Sequence, residues 1–167
     1  MKRNLQKERQ QRGDDFQNEM RASWRLLPNV WRLRLTDGGG SSRPGDELIL
    51  LDKISILAEH KRTYGDRFEL GFLRPSQLKG LQDFDRVIAR NLGLVFVSFL
   101  NEEKGTDEAY AFRLLRALHF MQQHERRYIT RDELKSNYMP CIELPRLQDT
   151  QDRLYDLKGV LECYKSL

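Results

Sequence analysis

The sequence predicts an α/β fold of element order αβββαβ, with a central mixed sheet flanked by helices. Three observations predict it. Leu48-Ile49-Leu50-Leu51 and Ile54-Ser55-Ile56-Leu57-Ala58 are adjacent apolar runs with the length and branching of buried strands. Leu94 to Leu100 is a second continuous apolar run, which belongs at a sheet centre. The segments before each of these regions carry apolar residues at helical spacing.

Residues 1–12 read as a basic N-terminal arm, with Lys2, Arg3, Lys7, Arg9 and Arg12 against Glu8. Contact with DNA and plain solvation are both open for it. Asp14 or Asp15 can cap a helix whose stripe is Phe16, Met20, Trp24 and Leu27. Pro28-Asn29 ends it. Val30 to Leu35 alternates, with Trp31, Leu33 and Leu35 on one face and Arg32 and Arg34 on the other. That pattern predicts a half-buried strand, with its arginine face turned to DNA or to solvent. Gly38-Gly39-Gly40 forms a loop that brings backbone close to a phosphate, or a plain connector.

Asp52-Lys53 then makes a two-residue turn between the first pair of apolar runs. This register pairs Leu51 with Ile54, Ile49 with Ile56, and Asp46 with Glu59. Opposed residues have Cβ atoms about 4.5–5.5 Å apart. Glu59 and Lys61 share a face, and His60 points the other way. Two carboxylates held that close repel, and a divalent cation relieves the repulsion. Mg²⁺ or Mn²⁺ suits such oxygen ligands. The metal can acidify a water for attack on a phosphodiester, with Lys61 orienting it or neutralising the phosphate. A hairpin whose charges are merely solvated is the alternative.

Beyond the hairpin, Thr63 to Arg67 is a polar turn. A helix starts near Pro75, with Leu78, Leu81, Ile88 and Leu92 facing inward. Asn101 to Asp107 is a turn, Ala109 to Phe112 a returning strand, and Leu114 to His124 a helix. His119 and His124 lie five apart and share no helical face, so they are surface or packing residues. Thr130-Arg131-Asp132-Glu133 has the form of a capping box opening a short helix. Leu154, Leu157, Leu161 and Tyr164 predict an amphipathic C-terminal helix.

Pro44-Gly45-Asp46 followed by Glu59-His60-Lys61 resembles the PD-(D/E)XK nuclease superfamily, whose core is restriction-endonuclease-like. The order of several segments more closely resembles Holliday junction resolvases of the RecU type and their archaeal counterparts. These segments are Arg12-Gly13, Ser41 to Asp46, Ile56 to Thr63, Phe68-Glu69-Leu70, Ser76-Gln77-Leu78 and Gly93 to Phe99. The resemblance implies that residues 13–167 form a single nuclease domain. It also implies that Asp46, Glu59 and the carbonyl of His60 hold the metal and that Lys61 is catalytic. Gln77 would lie near the active site, and Ser42 near the metal or the phosphate.

Two departures stand out. Gln17 occupies the place of a first-helix glutamate, either joining the site uncharged or leaving that role to Glu19. The long stalk of RecU-type enzymes is reduced to Thr36 to Arg43.

The expected activity is therefore that of a Mg²⁺- or Mn²⁺-dependent endodeoxyribonuclease on four-way or other branched DNA, acting in recombination and repair. A homodimer is implied, because two symmetric cuts need two sites. Besides the Asp46, Glu59, Lys61, Gln77 and Gln17 site, the residues expected to touch DNA are Arg12, Arg34, Ser41, Ser42, Arg43 and Arg62. A duplex or flap nuclease of the same fold is one alternative, and a non-catalytic DNA-binding module is the other. The short stalk suits a phage or mobile-element version.

Composition agrees. A chain of 167 residues suits one domain with a real core, and a net charge of +4 suits a polyanionic partner without requiring one. No apolar run spans a membrane, and Met1 to Gln6 lacks the apolar core of a signal peptide. Cys141 and Cys163 show no metal spacing and are expected reduced, in the cytoplasm.

Overall fold

The apolar runs that alternate or persist in the sequence become a six-stranded mixed sheet in the computed structural model, which describes residues 2–37 and 42–167, with side chains from Gln11 onward. Met1, the three glycines 38–40 and Ser41 lie outside the described residues.

Helix α1 runs from Lys2 to Trp24, so the basic segment expected as an arm is the first half of this helix. The strands β1 (Trp31–Arg34), β2 (Glu47–Leu50) and β3 (Ser55–Thr63) follow as an antiparallel meander. A short β4 (Arg67–Glu69) precedes helix α2 (Pro75–Val87), which crosses over to β5 (Asn91–Asn101). β5 lies parallel to β3. β6 (Thr106–Arg113) returns antiparallel, followed by helix α3 (Leu114–Gln123). β7 (Tyr128–Thr130) pairs with β4 in a separate two-stranded sheet. Helix α4 (Arg131–Lys135), β8 (Ile142–Glu143) and helix α5 (Lys158–Cys163) complete the chain. The main sheet order is β1-β2-β3-β5-β6-β8. The expected αβββαβ core is present, and β5 stands inside the sheet as its unbroken apolar run requires.

Two apolar clusters sandwich the sheet. On one face Phe16, Met20 and Trp24 of α1 pack on Ile49, Ile56, Ala58, Leu94 and Phe96. Each such buried side chain stabilises the fold by about 2 kcal/mol. On the other face Leu81 of α2 and Leu114, Ala117 and Met121 of α3 cover Leu57, Val95, Val97 and Phe99. Helix α2 presses closely on the sheet. A Cβ at Gly93 would stand 2.3 Å from the Leu81 carbonyl oxygen. Asp85 locks this contact, accepting a hydrogen bond from the Gly93 amide (3.0 Å) and pairing with Arg113.

Several expectations are corrected. Trp31 and Leu33 are 53% and 47% exposed. β1 is an edge strand that neither α2 nor α3 covers, so its alternation does not mark a buried face. Ile88 is exposed at the end of α2, and Leu92 belongs to β5 rather than to the helix. The C-terminal helix is only Lys158–Cys163, and the buried Tyr155 bridges to Arg146 ahead of it. The β4–β7 pair and β8 are too short to have carried a periodic signal. Among the described residues, no helix is long and apolar enough to cross a membrane.

Candidate active site

The β2–β3 register matches the predicted one from Leu50↔Ser55 to Glu47↔Ala58. It breaks at Asp46, whose amide also donates to the Ala58 carbonyl (2.8 Å). Two residues of one strand therefore face one of the other, as in a β-bulge, which re-aims a side chain. Asp46 is consequently not opposite Glu59. Its Oδ2 instead accepts a hydrogen bond from the His60 amide (2.8 Å). Helix α2 supports this placement. A Cβ at Gly80 would stand 2.3 Å from the Pro44 Cβ, so only a glycine lets the Pro44-Gly45-Asp46 segment lie against the helix.

Glu59 and Lys61 share the α2 face of β3, as alternation predicts. Lys61 Nζ lies 2.6 Å from Glu59 Oε1. The same oxygen accepts from Gln77 Nε2 at 2.6 Å. Gln77 is fixed at its other end too, since its Oε1 accepts from the Arg74 amide at the start of α2 (2.8 Å). The structure thus gathers Glu59, Lys61 and Gln77, with Asp46 joined to them through His60 and near enough for its charge to act on Glu59.

Both carboxylates are almost fully buried, and each keeps one oxygen without a hydrogen bond among the described residues. These are Asp46 Oδ1 and Glu59 Oε2. Asp46 Oδ1 is ion-paired with Arg43, whose Nη2 lies 2.8 Å away, so the oxygen with neither a donor nor a cation beside it is Glu59 Oε2, among the described residues. A buried anionic oxygen without a donor is costly, and a hard cation is the partner such oxygens suit. Burial pushes the Glu59 carboxyl up; Asp46 adds to this and Lys61 opposes it, leaving Glu59 above its usual value. Burial also pushes Asp46 up. His60, through its ring and amide, together with Arg43 outweighs this and holds Asp46 below the usual carboxylate range. The described residues contain no cluster of three or more acidic, His or Cys side chains poised for a metal. The His60 ring is packed instead, stacked on Phe96 and edge-on to Phe16.

The remaining expected residues divide. Gln17 is buried on the α1 side of the sheet, and its Oε1 accepts from Arg21 rather than reaching Asp46 or Glu59. Glu19 is paired with Arg62 and hydrogen-bonded to Tyr155. Arg62 is likewise a correction. Its side chain is 3% exposed, it donates to Glu19, Tyr155 and Ser98, and it is not a surface cation. Arg12 lies over the Tyr64 ring at 4.0 Å. Arg34 and Ser42 are exposed, and Ser41 lies outside the described residues.

Glu47 and Arg21 were not anticipated. Glu47 is buried beside Asp46, paired with Arg32 (2.9 Å), and its Oε2 also lacks a donor among the described residues. Arg21 is desolvated by burial and feels the charges of Arg34, Glu47, Asp46 and Arg32, so these groups form one neighbourhood. The available signal for Glu47 was its position two residues before Ile49, where the helix-facing side of β2 calls for an apolar residue.

No family model matches the chain, and no curated protein matches it. Among solved structures it is similar to Hjc, a Holliday junction resolvase from Archaeoglobus fulgidus, an archaeal hyperthermophile. The two share 14% identity with a TM-score of 0.54, over 78% of this chain and 95% of that one. At that identity the likeness is one of fold.

Proposed function

We propose that the protein is a metal-dependent endodeoxyribonuclease that cuts branched DNA, with four-way junctions as its main substrate. One observation carries this reading: two neighbouring buried carboxylates, each with an oxygen that accepts no hydrogen bond among the described residues, stand beside a lysine ammonium, with Arg43 paired to Asp46. The likeness of fold to an archaeal resolvase supports the choice of branched DNA.

Asp46, Glu59 and the His60 carbonyl would hold Mg²⁺ or Mn²⁺. The His60 amide points toward Asp46. In an extended strand a residue's carbonyl faces the same side as its amide. When bound, the cation would supply Lewis-acid stabilisation of the charge that develops at phosphorus. The chain's own groups do the rest. Gln77 holds the Glu59 carboxylate in one orientation, as residues behind a metal ligand commonly do. Lys61 places a positive charge where a phosphate oxygen or the attacking water would sit. Arg43 is paired with Asp46, and Arg12 shares a cleft with Lys61. Together they offer a basic path for the backbone, so binding should weaken with salt. Two symmetric cuts on a junction would need two copies of the chain.

The test offers the protein a labelled four-way junction, a flap and a linear duplex, each with Mg²⁺, Mn²⁺ or EDTA. Paired symmetric nicks in the junction alone support resolution. Cutting of every substrate replaces it with a general nuclease. Binding without cutting in either metal sinks the enzyme reading.

A further inference from the structure

Beyond Lys61 the strand runs into a cleft of about 440 Å³, lined by Arg12, Lys61, Arg62, Thr63, Tyr64, Gly65 and Phe72. The volume falls in the range of pockets that bind small organic groups. Two of the lining side chains are aromatic and open to solvent, Tyr64 at 49% and Phe72 at 37%. Both are held in place. The Tyr64 carbonyl accepts from Asn101, Gly65 donates its amide to Thr63 Oγ1, and Phe72 stands edge-on against the buried Phe68. The Arg12 guanidinium lies over Tyr64, 4.0 Å from its centroid. That contact alone would only fasten α1 to the strand end. The open cleft beside it, continuous with Lys61 and lined by a second aromatic, gives it a further use.

We infer that this cleft receives an unpaired nucleobase next to the phosphate held at Lys61, stacking it on Tyr64 with Phe72 as a second apolar wall. The inference rests on the nuclease reading of Lys61. The chemistry of the lining selects the ligand. Among the described residues lining the cleft none is a carboxylate, and Arg12 and Lys61 bring positive charge to it. Aromatic rings and a guanidinium plane bind any base by its face, whatever its sequence. Tyr64 is three residues past Lys61, about 10 Å along an extended chain, so the base would belong to a nucleotide close to the one being cut. A fully stacked duplex cannot supply such a base. A branch point, gap or flap can, which makes the cleft a device for recognising where pairing ends.

The test is binding in EDTA, where no cutting occurs. The probes are a duplex with one unpaired fluorescent adenine analogue and the same duplex with that base paired. Wild-type protein should quench the unpaired base and bind that probe about tenfold tighter than the paired one. Tyr64→Ala should lose both the quenching and the preference while still binding the paired duplex. Tyr64→Phe should keep them, and Phe72→Ala should weaken the preference. An unchanged preference in Tyr64→Ala overturns the inference. Cleavage assayed separately with Mg²⁺ keeps the two proposals apart. Tyr64-dependent quenching without any cutting would leave the cleft standing and remove the nuclease. Cutting by a protein indifferent to Tyr64 would do the reverse.

Discussion

Gln77 Nε2 and Lys61 Nζ converge on one oxygen of Glu59, each at 2.6 Å, and leave the other oxygen without a donor among the described residues. The lysine is the solvent-accessible member of this group, being 23% exposed while Glu59 is 1% exposed. Its ammonium is therefore the end of this group that a phosphate can reach. Lys61→Ala should lower junction cleavage by on the order of a hundredfold or more, with DNA affinity changed only a few-fold. Single-turnover cleavage and binding on the same labelled junction measure both.

Gln77 acts through Glu59. Gln77→Leu removes the donor that orients the carboxylate and should weaken Mn²⁺ binding by about 10- to 100-fold. Raising the Mn²⁺ concentration should recover much of the lost cleavage. A calorimetric titration of the metal, run beside the cleavage assay, distinguishes this from misfolding.

The pKa of Glu59 sets a pH signature in EDTA. Its folded value lies above the ordinary one, chiefly because of burial. Between the unfolded and folded values the native state therefore binds more protons, and stability rises as pH falls through the folded value. The ionised group works against folding at neutral pH. Glu59→Gln should remove that burden, giving a higher melting temperature than wild type at pH 7 and a difference that closes on acidification. Asp46 has the opposite sign. Its lowered value gives stability that is present above the ordinary carboxylate range and lost at more acid pH.

Arg62 separates structure from DNA contact. Its partner Glu19 would be left in a mostly buried position, so Arg62→Ala should destabilise the fold by about 3 kcal/mol. The salt dependence of DNA binding should stay as it was. Denaturant melts and binding at two salt concentrations give the two answers.

Gly80 tests the support of Asp46. A methyl group there meets Pro44 at 2.3 Å, so Gly80→Ala should cost about 1–3 kcal/mol. It should also lower cleavage by more than that stability loss explains, because the Pro44-Gly45-Asp46 segment must shift.

The sequence showed the site wherever a strong local pattern wrote it. The Asp52-Lys53 turn and two apolar runs set the hairpin register, and alternation put Glu59 and Lys61 on one face. The Thr130–Glu133 capping box forms as its spacing predicts. What escaped depends on groups that meet only in three dimensions. The bulge at Asp46 lies beside the close packing of Pro44 on Gly80, which no strand pattern encodes. Arg62 looked like a surface cation until Glu19 and Tyr155, one on α1 and one near the C-terminus, closed around it. The alternation of β1 was read correctly as a strand but not as an edge, since exposure depends on whether a helix reaches that far.

The central claim is that Asp46 and Glu59 together hold a divalent cation that cuts DNA. The most direct measurement is cleavage of one labelled four-way junction by wild-type and Asp46→Asn protein, prepared alike and assayed with Mg²⁺ and with EDTA. The account predicts paired nicks from the wild type in Mg²⁺ and none in the other three reactions. An uncut junction, or nicks that survive EDTA or the Asp46→Asn change, would contradict it.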